Sequence, residues 1–328
     1  MHVVTTQSGL GRIEDGAAAL LDTAFPDIAA VLEQEGSLHR LASCAVRRRI
    51  PLDEAVLMAP LGRPRAVWGV GLNYRSKAAR TGRALPDQPI LYLAAASGVV
   101  APGTRVVIPR SVNEPDYEGE IAVVLGRRLY QATEAEVWPA IAAVTAADDM
   151  TARDVMRATG IPALAKSYPG FTPLGPSLRT PDDLADRDAI RVRTRVNGTL
   201  RQDDTSAGMI FPIPDLLSRL SWFAALEPGD VVLTGTPAGT GQDRACFLAD
   251  GDEVRVEVDG VLPLVTRVER PLATRVEPPL APRDGRPHRT PVERPLATPV
   301  ERPHPTPVAR PLAAPVVRPA GTPPRTTG

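Results

Sequence analysis

Proline recurs every eight residues along roughly the last fifth of the chain, and that spacing removes the segment from any sheet or helix. Pro271, Pro279, Pro287, Pro295, Pro303, Pro311 and Pro319 hold one phase of the repeat, whose unit is approximately Thr-Pro-Val-Glu-Arg-Pro-Leu-Ala. Residues 266–328 contain 16 of the 36 prolines. Each proline fixes φ and deletes a backbone donor, so a disordered, extended polyproline-like tail is expected over 269–328. Residues 266–328 also carry 11 arginines against five acidic residues, in a chain whose formal net charge is zero. Two roles are open for the tail: repeat expansion without function, or a docking arm for a partner that recognises proline-rich segments. A folded core must come from the residues before it.

Those residues read as strands separated by turns. Residues 1–62 mix short amphipathic stretches, Gly16 to Leu21 and Phe25 to Gln34, with a basic patch at Arg47, Arg48 and Arg49, and are expected to form a small N-terminal domain. From residue 63 to 268 the apolar runs Ala66 to Leu72, Ile90 to Leu93, Ile121 to Leu125, Ile190 to Val196, Val231 to Thr234 and Val254 to Val258 follow one another. Asn197-Gly198 and Asp259-Gly260 close two of them as turns. The clearest helix runs from about Pro214 to Phe223, with apolar residues at helical spacing. Parallel sheets need regular crossover helices, and that alternation is missing. A mixed, mostly antiparallel β architecture with few helices is therefore expected.

Three acidic residues suggest a site. Glu118 and Glu120 precede the buried run Ile121 to Leu125, and side chains at i and i+2 of a strand point the same way. Two carboxylates so close repel unless something cationic lies between them. A divalent ion with Asp149 as third ligand would do so, and an all-oxygen set suits Mg²⁺, Mn²⁺ or Ca²⁺ better than zinc. On spacing alone, an exposed strand end paired with Arg127 and Arg128 explains the same residues equally well.

The residue census removes other chemistries. Of four histidines, His288 and His304 fall in the tail, and none of the local patterns of a triad or a zinc protease surrounds His39. Cys44 and Cys246 fit neither a zinc knuckle nor a redox pair. Aromatic residues make up 4% of the chain and the basic residues are dispersed, which argues against a nucleic-acid groove. With no apolar run of membrane-spanning length and no signal-peptide pattern in the opening residues, a cytoplasmic protein with free thiols is expected. Of the 38 basic residues only Lys77 and Lys166 are lysines. A lysine kept against so strong an arginine bias suggests a site needing a compact ammonium or a group able to lose its proton, which arginine cannot replace.

The strings Trp68-Gly69-Val70-Gly71-Leu72-Asn73-Tyr74, Tyr117-Glu118-Gly119-Glu120, Asp149-Met150-Thr151-Ala152-Arg153-Asp154, Lys166 with Pro173-Leu174-Gly175-Pro176, Val196-Asn197-Gly198, and Leu226-Glu227-Pro228-Gly229-Asp230 running into Thr234-Gly235-Thr236-Pro237-Ala238-Gly239 resemble the fumarylacetoacetate hydrolase family in order and spacing, from about Pro51 to Val268. The resemblance implies a mixed β-sandwich roll, usually dimeric, and a Mg²⁺ or Mn²⁺ ion held by Glu118, Glu120 and Asp149. It further implies a catalytic role for Lys166 and substrate binding by Tyr74, Arg153, Gln202 and Thr236. Members of the family act on 2-oxo acids and β-diketo acids, so a small anionic 2-oxo acid is the expected substrate. The chain departs from the family at the lid. Lys77 and Arg80 stand where the hydrolases carry the His and Glu that activate water, Ala94 stands where a lysine is expected, and Pro169 where Asp is frequent. Lys77 and Arg80, at i and i+3, would share one face of a lid helix over the metal.

Three functions follow from this pattern. The first is a metal-dependent isomerase, tautomerase or decarboxylase that passes through an enolate and needs no water nucleophile. The second is a C–C hydrolase of the acylpyruvate or fumarylacetoacetate type, with Lys77 replacing the histidine. The third is a catalytically silent scaffold that docks through its tail, and the three converging carboxylates argue against it.

Overall fold

In the computed structural model, which describes residues 1–271, the strand Gly119–Leu125 is buried on both faces and organises everything around it. Its odd positions Ile121, Val123 and Leu125 pack with Val192, Val254 and Val256 in one core, while its even positions Ala122 and Val124 pack with Leu174, Leu178 and Leu233 in another. A strand sandwiched in this way reads as a continuous apolar run with no alternation, which is what Ile121 to Leu125 shows. The proline-rich repeat expected over 269–328 lies, from residue 272 on, outside the described residues.

Two sheets enclose the first core. The larger runs in the order Val46–Pro51, Ala17–Leu21, Gly9–Glu14, His2–Thr6, Thr172–Arg179, Ile141–Asp148, Gly119–Leu125, Val231–Leu233, Val67–Gly71, Ile90–Ala94. The smaller has five strands, Thr199–Thr205, Arg191–Val196, Glu253–Val258, Leu264–Glu269 and Arg105–Val107. Most pairings are antiparallel; Val231–Leu233 with Val67–Gly71 and Leu264–Glu269 with Arg105–Val107 are parallel. Asn197 and Gly198 both adopt positive φ, 49° and 75°, and close the Arg191–Val196 hairpin as the Asn-Gly pair predicts. This is the expected mixed β sandwich, with seven α-helices among the described residues.

Residues 1–62 do not stand apart from the rest. His2–Thr6 pairs with Thr172–Arg179, His2 opposite Arg179 and Val4 opposite Ser177, so the N-terminal strands extend the large sheet. The stretch read as amphipathic at Gly16 to Leu21 is the strand Ala17–Leu21, and the second stretch is the helix Ile28–Glu35, capped by Asp27, whose carboxylate accepts from the Ala30 N–H at 2.8 Å. Ile28, Val31 and Leu32 of that helix enter the second core. Among the described residues no helix is long and apolar enough to cross a membrane.

Candidate metal centre and active site

Strand register brings the three predicted carboxylates together. Gly119 lies opposite Asp148 in the antiparallel pair, so Asp149, one residue past the strand end, comes beside Glu118, and its N–H donates to the Glu118 carbonyl at 2.9 Å. Glu120, in the strand, and Glu118, the residue just before it, line the same cavity. One carboxylate oxygen from each of Glu118, Glu120 and Asp149 lies within 4.8 Å of the others, and all three residues are buried.

Such a cluster is costly unless its charge is answered. Lys166, at the end of the helix Pro162–Lys166, donates to Glu118 Oε2 at 2.5 Å, to the Asp149 carboxylate, and to Thr151 Oγ1 at 2.8 Å. Arg153 bonds Glu118 and, at 2.7 Å through Nε, Asp116. Burial alone would raise the Glu118 carboxyl, but the Arg153, Lys166 and Lys77 charges outweigh it and hold Glu118 well below the usual carboxylate range. Glu120 goes the other way: burial, then the Asp149 and Glu118 charges, push it far above that range, and the Gly235 N–H at 2.7 Å offsets only part. Burial and the Glu118 charge also raise Asp149, against Lys166. Burial would lower Lys166, yet Asp149 and Glu118 hold it above its usual value.

The cations on hand therefore neutralise one side of the cluster and leave the other with repelling carboxyls. Asp149 Oδ1 is buried and has no hydrogen-bond partner, although its neighbour Oδ2 accepts from Lys166 and from the Tyr92 hydroxyl. An unpartnered carboxylate oxygen facing two further carboxylates, all oxygen donors, fits a hard divalent cation.

Several partners of the cluster lie outside the predicted set. Tyr92 reaches Asp149 because Gly69 lies opposite it in the strand pair: a Cβ on Gly69 would overlap the Tyr92 ring. Asp148 Oδ1 accepts from the Glu118 N–H at 2.9 Å, and burial first, then the neighbouring carboxylates, push Asp148 up to about 7. Asp116 accepts from the N–H groups of Gly241 and Gln242 at 2.6 and 3.1 Å while holding Arg153. The adjacency of acids in Asp148-Asp149 and Asp116-Tyr117-Glu118 was the only signal for the last two.

The cluster opens into a cavity of about 510 Å³ lined by Glu118, Glu120, Lys166, Lys77, Arg153 and Thr236, among others. Lys77, on the helix Arg75–Thr81, reaches this cavity, but its ammonium donates to Asp243 Oδ1 at 2.8 Å and Thr240 Oγ1 at 2.6 Å. Arg80 does not face the metal side as its i, i+3 spacing predicts. It is exposed, does not line the cavity, and donates to the Asp243 carbonyl at 2.9 Å, because the helix turns that face toward the segment 240–245. Thr236 lines the cavity and donates to the Gly119 carbonyl at 3.0 Å. Gln202 lies behind it, with Nε2 on Thr236 Oγ1 at 2.7 Å and Oε1 accepting from the Gly119 N–H at 3.0 Å, so it fixes the Thr236 loop and does not line the cavity. Tyr74 is fully buried outside the cavity lining, its hydroxyl without a hydrogen-bond partner; burial, then the Glu120 and Asp204 charges, raise it well above its usual value.

The chain is similar in sequence and in fold to known proteins. Residues 66–269 match the family model described as fumarylacetoacetate (FAA) hydrolase C-terminal. A mitochondrial oxaloacetate tautomerase of Homo sapiens is 34% identical over 278 residues, 81% of this chain and 88% of the relative. One from Rattus norvegicus is 35% identical over 235 residues, 71% and 75% of the two chains. Among solved structures, a fumarylacetoacetate hydrolase from Exiguobacterium antarcticum superposes with a TM-score of 0.73 at 28% identity, covering 83% of this chain and 100% of its own. A 5-carboxymethyl-2-hydroxymuconate delta-isomerase from Mycobacterium smegmatis superposes with a TM-score of 0.68 at the same identity, covering 83% and 100%. With the family's strings in order, its fold in place and its acidic cluster assembled, the chain belongs to the fumarylacetoacetate hydrolase family.

Proposed function

We propose that this protein is a Mg²⁺- or Mn²⁺-dependent tautomerase or isomerase of a small 2-oxo acid, with oxaloacetate, the acid named for its relatives, as the first substrate to try. Glu118, Glu120 and Asp149 would hold the ion, which when bound supplies Lewis-acid polarisation of a carbonyl oxygen.

The observation that carries the reading is the state of the lid. A C–C hydrolase must activate water, and in this chain the group at the water-activating position is the Lys77 ammonium, committed as a donor to Asp243 and Thr240. To act as a base it would have to give up a buried ion pair. Lys166 has the complementary property. Its ammonium, raised above its usual value by Asp149 and Glu118, keeps its proton and presents positive charge at the buried end of the cavity, where an enolate oxygen would form. Ketonisation takes a proton from the enol oxygen and adds one at the adjacent carbon, with that charge stabilising the enolate between the two transfers, and it needs no nucleophile.

Incubating the Mg²⁺-loaded protein with oxaloacetate and with an acylpyruvate, following loss of enol absorbance and identifying the products, tests the reading. Accelerated ketonisation of oxaloacetate with both acids left uncleaved supports it. Cleavage of the acylpyruvate to pyruvate and a second acid would replace it with the hydrolase reading.

A further inference from the structure

Four cationic side chains line the cavity, and three of them are already answered. Lys166 and Arg153 are bound to Glu118, and Lys77 to Asp243. The fourth, Arg83, has no side-chain hydrogen bond or ion pair among the described residues. It follows the lid helix in a fixed conformation: Gly82 takes the left-handed φ of 65°, and the Arg83 N–H donates to the Ala78 carbonyl at 3.0 Å. Gln242 lines the same cavity from the opposite segment; its backbone N–H is held by Asp116, and its side-chain amide has no partner among the described residues. Both side chains are exposed, whereas Glu118, Glu120 and Lys166 are buried, so the polar groups are ordered along the cavity from a deep chelating end to a cationic mouth.

Resting on the 2-oxo-acid reading above, we infer that Arg83, assisted by Gln242, binds a second carboxylate at the mouth, so that the site selects 2-oxo dicarboxylic acids over monocarboxylic ones. The guanidinium offers a planar pair of donors matched to a carboxylate, and the Gln242 amide can add a third. A substrate held at both ends also has its 2-oxo acid end fixed in position beside Lys166. Paired cations at the mouth would have served only the fold; an unpaired one faces whatever enters.

Calorimetric titration of the Mg²⁺-loaded protein with 2-oxoglutarate and 2-oxopentanoate, equal in chain length and differing in the distal carboxylate, tests this without requiring turnover. Wild-type protein is expected to prefer the diacid by roughly tenfold or more, the scale of hydrogen bonds to a charged group. Arg83→Met should abolish the preference while leaving the monoacid affinity unchanged, Arg83→Lys should keep part of it, and Gln242→Ala should reduce it. Equal wild-type affinity for the two acids, failure of both to bind, or an Arg83→Met that weakens both alike would overturn the inference. The tautomerase reading is decided separately, by enol turnover.

Discussion

Breaking the Lys77–Asp243 pair should cost more than any surface ion pair in the molecule, and the cost should be strongly non-additive. The side chains are only 9% and 1% exposed, and the contact is 2.8 Å. Asp243 also accepts from the N–H groups of Gly239 and Thr240 at 2.7 and 3.2 Å, so it ties the lid helix to the segment that Asp116 holds against Arg153. Asp243→Asn removes the negative charge that answers a buried ammonium, and removing one partner of a buried pair costs about 3–5 kcal/mol. Lys77→Met keeps the stem and leaves Asp243 with its backbone donors, so about 1–3 kcal/mol is expected. Because the double variant strands no charge, it should be milder than the sum by about 2 kcal/mol. Urea unfolding at neutral pH, with slopes compared to exclude a changed denatured state, reads all three. Additivity within about 0.5 kcal/mol would refute the idea that the two residues act as a pair. The same Lys77→Met protein, where folded, should keep ketonisation kcat within about tenfold and show mainly a raised KM, whereas loss of a general base costs about 10²–10⁴-fold.

Three further outcomes are expected. Glu120→Gln should abolish the rise in melting temperature that saturating Mg²⁺ gives the wild type, about 2.7 kcal/mol at a hundredfold excess over Kd; an unchanged rise would remove Glu120 from the ligand set. Gly69→Ala should destabilise by at least about 2 kcal/mol, since its Cβ would lie 2.0 Å from Tyr92 Cζ, and Tyr92→Leu should recover most of that loss in a double variant; a neutral Gly69→Ala would mean the ring moves freely. His2, held near 4 by burial first and then by the Arg179 charge, is favoured neutral in the folded state. Because that value lies below its unfolded one, its contribution is complete above about 6.5 and is lost as pH falls toward 4; stability should drop by about 1–2 kcal/mol between pH 7 and 5, allowing for partial solvent screening, and His2→Gln should flatten this arm in urea titrations at the two pH values.

What could be read before folding was whatever two or three neighbouring residues encode. Glu118 and Glu120 are legible because strand periodicity puts both on one face, and the hairpin at Asn197-Gly198 because few sequences accept two successive positive φ values. The strand Ile141–Asp148 is not legible in the sequence because its alanines carry little β preference; it is made a strand by the neighbours on both sides. Thr172–Arg179 is not legible because Pro173 and Pro176 argue against a central strand. The N-terminal strands read as a separate unit because nothing in residues 1–62 announces the pairing of His2 with Arg179 or of Val4 with Ser177. Within the site, the partners that decide chemistry are long-range: Lys77 meets Asp243 and Thr240, and Tyr92 meets Asp149 only through the space left at Gly69. The i, i+3 spacing fixes that Lys77 and Arg80 share a face of the helix and leaves open what that face meets, which is Asp243.

If the buried acidic cluster with Lys166 interconverts enol and keto forms of a 2-oxo acid without a water nucleophile, the rate of oxaloacetate ketonisation by Mg²⁺-loaded wild type and Lys166→Arg protein, followed through the enol absorbance with products identified by proton NMR, decides it. Rapid ketonisation by the wild type with every carbon–carbon bond intact is expected, and a loss of roughly 10²-fold or more in the variant despite its retained charge. Equal rates in the two proteins, or cleaved products from the wild type, would contradict it.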